Sequence, residues 1–199
     1  MLNDIVYPFD GTRSFFISEP PTVEPVSAAD LKLYARIDGS SEDTLLNNFI
    51  SAARIATELW TGRALLSQSV TLTFDTLAYR MIQLPCPPLL SIVEFRTGDE
   101  DGTWTVVDSD DYYVDSGATP ARFYLKRAVT VDTPDRDYAG YQIEYTAGYG
   151  SAATDVPMTL REAVLFWATY IYENRVPITV PPKDLRTILE PFRVRWYLR

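Results

Sequence analysis

The sequence of 199 residues contains no histidine and a single cysteine, Cys86. Without histidine the chain lacks the usual general base and cannot build Ser–His or Cys–His nucleophilic systems or His-based metal centres. One cysteine allows neither an internal disulfide nor a thiolate zinc site. These absences argue against the commonest catalytic and metal-dependent functions, and we expect no cofactor, no metal and no catalytic residue.

Glycine-rich phosphate loops and long apolar segments are also missing. Neither GxxxxGK[ST] nor GxGxxG occurs, so the common phosphate-binding turns are excluded. The longest apolar run, residues 163–172, is too short to span a bilayer. The N-terminus has neither the basic start nor the apolar stretch of a signal peptide. The sequence therefore predicts a soluble intracellular protein without membrane association.

Acidic residues are numerous, and an active site built on a pair of carboxylates is not excluded by this composition. Residues 99–115 hold seven acidic residues and no basic one. An EF-hand spacing is absent from this stretch. Acids on hairpin loops are usually only solvated, which favours a non-catalytic interpretation over a carboxylate-dependent hydrolase. The candidate acidic patch comprises Asp99, Glu100, Asp101, Asp108, Asp110 and Asp111.

The net charge of −9 is unevenly distributed along the chain. Residues 183–199 carry a net +3, so the remaining 182 residues carry −12. This basic end is also aromatic, and Arg, Trp and Tyr are the residues that most often dominate protein interfaces. The same residues would suit phosphates and stacked bases, and a tail folded onto its own body is a third alternative. The candidate docking residues are Phe192, Arg193, Arg195, Trp196, Tyr197, Leu198 and Arg199.

Hydrophobic periodicity predicts helices at both ends of the chain and strands between them. Apolar residues recur at three- and four-residue steps between Leu45 and Trp60, which predicts a helix of about five turns. Its start, residues 40–43, fits a capping box, and Ser27 caps an earlier short helix. A further helix follows Pro157. Alternation of apolar and polar residues predicts a strand near 70–74, and turn residues separate further strands predicted near 81–84, 90–96, 103–107, 111–114, 121–126 and 140–146.

The predicted fold class is α+β. Two N-terminal helices and a C-terminal helix form a small bundle, interrupted by an inserted antiparallel β barrel or sandwich and followed by an extended tail. The predicted segments are an N-terminal arm (1–26), a first helical part (27–65), an inserted β subdomain (66–150), a second helical part (151–176) and a C-terminal docking tail (177–199). The arm is expected to be extended and able to lie on a neighbouring surface, with a frayed terminus as the alternative.

Several strings of residues, taken in order, resemble the head–tail connector (adaptor) family of tailed phages. The β-rich middle suits the longer branch of that family, which occurs in phages, prophages and gene transfer agents. The resemblance covers roughly residues 27–195. The strings are 31–38 (LKLYARID), 42–46 (EDTLL), 52–54 (AAR), 61–65 (TGRAL), 144–150 (EYTAGYG), 156–157 (VP), 161–163 (REA) and 172–175 (YENR).

The resemblance implies a non-enzymatic subunit of a homo-oligomeric ring, expected to be a dodecamer, in the neck of a virion assembled in the bacterial cytoplasm. Such a ring docks on the portal protein and joins it to the stopper or tail-completion protein. The docking element would be about 184–199. Genome DNA would pass through the lumen without sequence-specific binding, and the acidic patch faces either that lumen or solvent. The alternative is a DNA-binding packaging accessory that uses the basic-aromatic tail.

Overall fold

The computed structural model describes residues 13–77, 81–129, 131, 134, 136–175 and 180–194. These residues form two units. The β unit comprises residues 13–20 and 67–148, and the helical unit comprises 21–66 and 149–194. The α+β prediction is confirmed, because the described residues include both helices and antiparallel sheets.

Helices α1 (Ala28–Ala35) and α2 (Asp43–Thr61) begin the helical unit. Ser27 caps α1 in a capping box, as predicted. The capping box predicted at the start of α2 is wrong, because Glu42 is the N-cap and its side chain makes no cap hydrogen bond. Asp43 instead pairs with Lys32 at 2.7 Å, so a tertiary ion pair replaces the local cap.

Helices α3 (Met158–Asn174) and α4 (Lys183–Leu189) complete the described helices of this unit, and a 3₁₀ turn, Glu190–Phe192, follows α4. The α2 stripe predicted from periodicity packs against the broad apolar face of α3, and α4 closes the same core. Its fully buried side chains include Leu31, Leu46, Ile50, Leu160, Val164, Trp167, Leu185 and Leu189.

The strands of the β unit form two antiparallel sheets within the described residues. Their bounds are β1 (Arg13–Glu19), β2 (Gln68–Phe74), β3 (Met81–Gln83), β4 (Leu89–Gly98), β5 (Trp104–Val107), β6 (Tyr112–Asp115), β7 (Arg122–Leu125) and β8 (Tyr141–Ala147). The larger sheet has the order β1-β2-β8-β4-β5, and the smaller one has the order β3-β7-β6.

Aromatic rings join the two sheets in one core. Phe95 of the larger sheet lies 5.2 Å from Phe123 of the smaller sheet, measured between ring centroids, and Phe123 lies 4.6 Å from Tyr112. Phe74 stacks on Tyr141 at 5.3 Å. Ring pairs at these separations stabilise a core beyond the effect of the area that they bury.

The N-terminal segment differs from the predicted extended arm. Residues 13–19 form β1, an edge strand that pairs antiparallel with β2 from Arg13↔Phe74 to Glu19↔Ser69. Its alternation is weak in sequence because Phe15, Phe16 and Ile17 are consecutive apolar residues. The strand forms because β2, far away along the chain, supplies the backbone partners. Residues 1–12 of the predicted arm lie outside the described residues.

Candidate docking surface

The C-terminal segment is fixed to the end of α2. The backbone N–H of Val194 donates to the carbonyl oxygen of Thr61 at 2.7 Å, and the Val194 side chain is only 8% exposed. Gly62 ends α2 in the left-handed region, with φ of 71°. A Cβ placed on Gly62 would lie 3.4 Å from the Cβ of Val194, so the two backbones meet closely.

Arg63, one residue after Gly62, holds the same segment from the other side. Its guanidinium donates to the carbonyl oxygen of Phe192 through Nε and to the hydroxyl of Tyr149 through Nη1 at 3.4 Å. The ring of Phe192 packs against the helical core. The chain between α4 and Val194 is therefore part of the helical unit.

Two further arginines approach the indole of Trp60. The guanidinium carbon of Arg193 lies 4.9 Å from the ring centroid, and that of Arg186 lies 5.7 Å away. A guanidinium within about 6 Å of an indole face is attracted by its quadrupole. Arg193 pairs with the carboxylate of Glu190 at 4.0 Å, with both side chains 49% exposed. We call Trp60, Arg186 and Arg193 the Trp60 cluster.

These contacts change the predicted docking tail. Phe192 and Arg193 were assigned to it, but they are fixed to the helical unit, as is most of the segment from 184 onwards. The described part of the predicted docking residues, 192–194, is folded onto the helical unit. Sequence reasoning missed this because the Thr61–Val194 pairing joins residues distant along the chain. Arg195, Trp196, Tyr197, Leu198 and Arg199 lie outside the described residues.

The candidate acidic patch lies on two turns of the β unit. Asp99, Glu100 and Asp101 occupy the β4–β5 hairpin, where the carboxylate of Asp101 accepts the backbone N–H of Thr103 at 2.8 Å. This hydrogen bond lowers the pKa of Asp101. The structure thus gives Asp101 a turn-stabilising role in an exposed loop.

The second turn follows β5. The carboxylate of Asp108 accepts the N–H of Asp110 at 2.9 Å, and the carbonyl oxygen of Asp111 accepts the N–H of Lys126 at 2.9 Å. The ammonium of Lys126 also donates to the carbonyl oxygen of Asp110. These acids are exposed or half-exposed, and this solvated setting does not support a hydrolase site there.

A buried ionic cluster in the helical unit was not anticipated. Arg54 donates to Glu58 at 2.8 Å and to Glu24 at 2.8 Å, and Glu58 accepts the backbone N–H of Leu65 at 2.9 Å. Burial raises the pKa of Glu58, while the charge of Arg54 and the Leu65 N–H act in the opposite sense. The four-residue spacing of Arg54 and Glu58 was the available signal, but exposed pairs share it.

Within the described residues, no group of three or more His, Cys, Asp or Glu side chains has the arrangement of a metal site. The cluster around Arg54 pairs its charges internally and ties the segment before α1 and the loop after α2 to one helix. These contacts indicate that the cluster around Arg54 stabilises the fold of the helical unit. Among the described helices, none is both long enough and apolar enough to cross a membrane.

No protein-family model matches the chain, and no curated protein matches it. Solved structures do share its fold. A chain described as part of the neck of an empty gene transfer agent (GTA) particle, computed with C6 symmetry, has a TM-score of 0.76 and 23% identity, covering 93% of this chain and 97% of that one.

Two further structures give the same picture. A chain from the virion of a native GTA particle has a TM-score of 0.76 and 23% identity, with 92% of this chain and 98% of that chain covered. A chain from the neck of a native GTA particle, computed with C12 symmetry, has a TM-score of 0.69 at the same identity and coverage. At this identity the likeness shows a shared fold that spans both units.

Proposed function

We propose that this chain is a structural, non-enzymatic connector in the neck of a tailed phage or gene transfer agent particle. One observation carries the proposal: the fold is shared over 93% of this chain with a chain from a GTA particle neck. Both the helical ends and the β insertion lie within this shared length. A partial match to a common helical pair would support much less, because such pairs occur in many unrelated proteins.

The proposed connector forms a ring, expected to be a dodecamer, that docks on the portal protein and joins it to the stopper or tail. Two of the similar chains belong to necks computed with C6 or C12 symmetry. Genome DNA passes through the lumen of the ring. A net charge of −9 suits this role, because a repulsive wall lets a duplex slide while a basic wall would retain it.

The portal-docking element of this proposal is the segment after Val194. The described chain ends in a fixed position at Val194, where the backbone bond to Thr61 anchors it. Residues 195–199 then add two arginines, a tryptophan and a tyrosine. Five residues can extend about 17 Å, which is enough to reach a surface on an adjoining ring. Arg and Trp are also the residues that carry most interface energy.

The test is localisation in an assembled particle. The chain is tagged at its N-terminus and expressed in cells that produce particles, and purified particles are imaged with an antibody label and by cryo-electron microscopy. We expect label and ring density between head and tail. Deleting the gene should leave DNA-filled heads without tails.

Two results would contradict the proposal: absence of the chain from the neck of complete particles, or normal tailed particles made without it. A salt titration of DNA binding distinguishes the connector from the alternative, a DNA-binding packaging accessory. That alternative requires binding at low salt that falls steeply with log salt and disappears when residues 195–199 are removed. A connector needs no such binding.

A further inference from the structure

The Trp60 cluster is a local basic surface on a strongly acidic chain. Two guanidinium groups, from Arg186 and Arg193, lie over one indole, and within the described residues Glu190 pairs with Arg193 at 4.0 Å. Arg186 and Arg193 are both solvent-exposed. Trp60 itself is half-buried, so the surface combines charge with part of an indole ring. Such a mixture is typical of protein interfaces.

The acidic turns of the β unit form a surface of opposite character. Their six carboxylates flank β5 and precede β6, and apolar side chains stand beside them in exposed positions. Val106 of β5 is 60% exposed and Tyr113 of β6 is 63% exposed. The turns are held in shape by the caps of Asp101 and Asp108, so their charges are presented on ordered backbone. Preorganised charge loses less entropy on binding than a flexible tail does.

We propose that, in the assembled ring, the acidic turns of one copy lie against the Trp60 cluster of the next copy. The inference rests on the proposed function, because a ring of more than two copies needs two different surfaces on each subunit. The chain supplies two such surfaces with opposite charge, one on each unit. Contact between them is heterologous, so it can propagate from copy to copy and close into a ring.

The charges favour a second copy of this chain as the molecule that binds the Trp60 cluster. At −9 per chain, copies repel one another overall, so association needs a place where the sign is reversed. The Trp60 cluster provides this place, and a complementary pair of surfaces also fixes the direction of packing. Double-stranded DNA is the other polyanion in such a particle. Binding of DNA to the Trp60 cluster is therefore a separate outcome of the test below.

Charge-swapped variants test the contact. The first variant, Asp99→Lys/Glu100→Lys/Asp110→Lys/Asp111→Lys, reverses four acids while keeping Asp101 and Asp108, whose carboxylates cap the turns. The second variant, Arg186→Glu/Arg193→Glu, reverses the cluster. Each variant alone places like charges on both surfaces and should self-associate at least about tenfold more weakly than the unchanged chain. An equimolar mixture restores opposite charges at every contact and should associate again.

Association is measured by sedimentation velocity and negative-stain imaging at about 50 mM salt, where the Debye length still exceeds 10 Å, and again at high salt, where the contact should weaken. Glu162→Lys/Glu173→Lys on the exposed side of α3 is the control, because it replaces carboxylates by ammonium groups at residues that belong to neither surface. This control should associate at least as well as the unchanged chain. Arg186→Gln/Arg193→Gln tests the cluster without adding repulsion.

The inference is overturned if the unchanged chain does not self-associate under these conditions, if the cluster variants associate normally, or if the mixture stays dissociated although both variants are folded by circular dichroism. It is also overturned if the cluster variants lose retention of a DNA duplex and keep self-association. None of these outcomes removes the chain from the particle neck, which the localisation experiment tests separately.

Discussion

The backbone N–H of Val194 donates a hydrogen bond of 2.7 Å to the carbonyl oxygen of Thr61. This bond joins the last residue of α2 to Val194 in the C-terminal segment. The carbonyl groups at the end of a helix lack partners within the helix, so Val194 satisfies one of them. The segment before Val194 therefore contributes to stability, and the proposed docking function belongs to the residues after it.

The buried position of Val194 predicts a difference between two valines. Val194→Asp should lower the free energy of unfolding by at least about 2 kcal/mol, because a carboxylate would enter an apolar contact. Val180→Asp is the matched control, since Val180 is 46% exposed and should change stability by no more than about 0.5 kcal/mol. Urea unfolding followed by tryptophan fluorescence measures both. Equal effects of the two substitutions would show that Val194 is not packed.

Burial also separates two ion pairs of similar length. Arg54 pairs with Glu58 at 2.8 Å with both side chains largely buried, whereas Lys32 pairs with Asp43 at 2.7 Å with both partly exposed. Arg54→Met leaves buried carboxylates without their cation and should cost about 3–5 kcal/mol. Lys32→Met should cost less than about 1 kcal/mol. Chemical denaturation of the two variants checks the difference, and similar losses would contradict the burial argument.

Sequence reasoning succeeded where the signal is local. The helix from Leu45 to Trp60 carries its own period, the strand predicted at 70–74 carries its own alternation, and turn residues separate the strands predicted after it. It failed where distant residues decide the structure. Strand β1 exists because β2 pairs with it, Asp43 pairs with Lys32 in place of capping its own helix, and Val194 pairs with Thr61.

The pairing of β1 with β2 predicts different effects at two consecutive phenylalanines. Phe15 lies opposite the buried Leu72, while Phe16 lies opposite Thr71 and is 39% exposed. Phe15→Asp should destabilise the β unit by about 2 kcal/mol, and Phe16→Asp should have an effect within about 0.5 kcal/mol. A free arm would tolerate both changes. Thermal unfolding of the two variants, together with hydrogen exchange at the β1 amides, tests whether β1 is paired with β2.

The cap of α1 predicts a dependence of stability on acid pH. Asp30 accepts hydrogen bonds from the hydroxyl of Ser27 at 2.6 Å and from its backbone N–H at 2.8 Å, and these bonds lower the pKa of Asp30 below its ordinary value of 3.8. A carboxylate whose pKa is lower in the folded state stabilises the fold above pH 3.8, and this contribution is lost as the pH falls through the lowered value.

Ser27→Ala removes the hydroxyl from this cap. We expect the pKa of Asp30 to rise and the free energy of unfolding to fall by about 1 kcal/mol at neutral pH, because a short helix depends strongly on its cap. Carbon-detected NMR titration of the Asp30 carboxyl measures the first effect. Ser40→Ala is the control. Because no side chain caps α2, removing the Ser40 hydroxyl should leave the free energy of unfolding nearly unchanged. An unshifted Asp30 titration would contradict the capping role.

The anchored position of Val194 also predicts where the chain can be shortened. Removing residues 195–199 should leave the unfolding midpoint nearly unchanged and abolish co-purification with the matching portal protein, because the proposed docking residues are lost while the Thr61–Val194 bond is kept. Removing residues 191–199 should instead lower the midpoint, since Phe192 and Val194 pack on the helical unit.

Single substitutions test which side chains contribute to docking. Trp196→Ala and Arg195→Ala should weaken portal attachment more than Glu190→Ala, because buried aromatic and arginine side chains carry most interface energy. Attachment is measured by co-sedimentation with purified portal rings. A chain lacking residues 195–199 that still sediments with those rings would move the docking element to another surface of the protein.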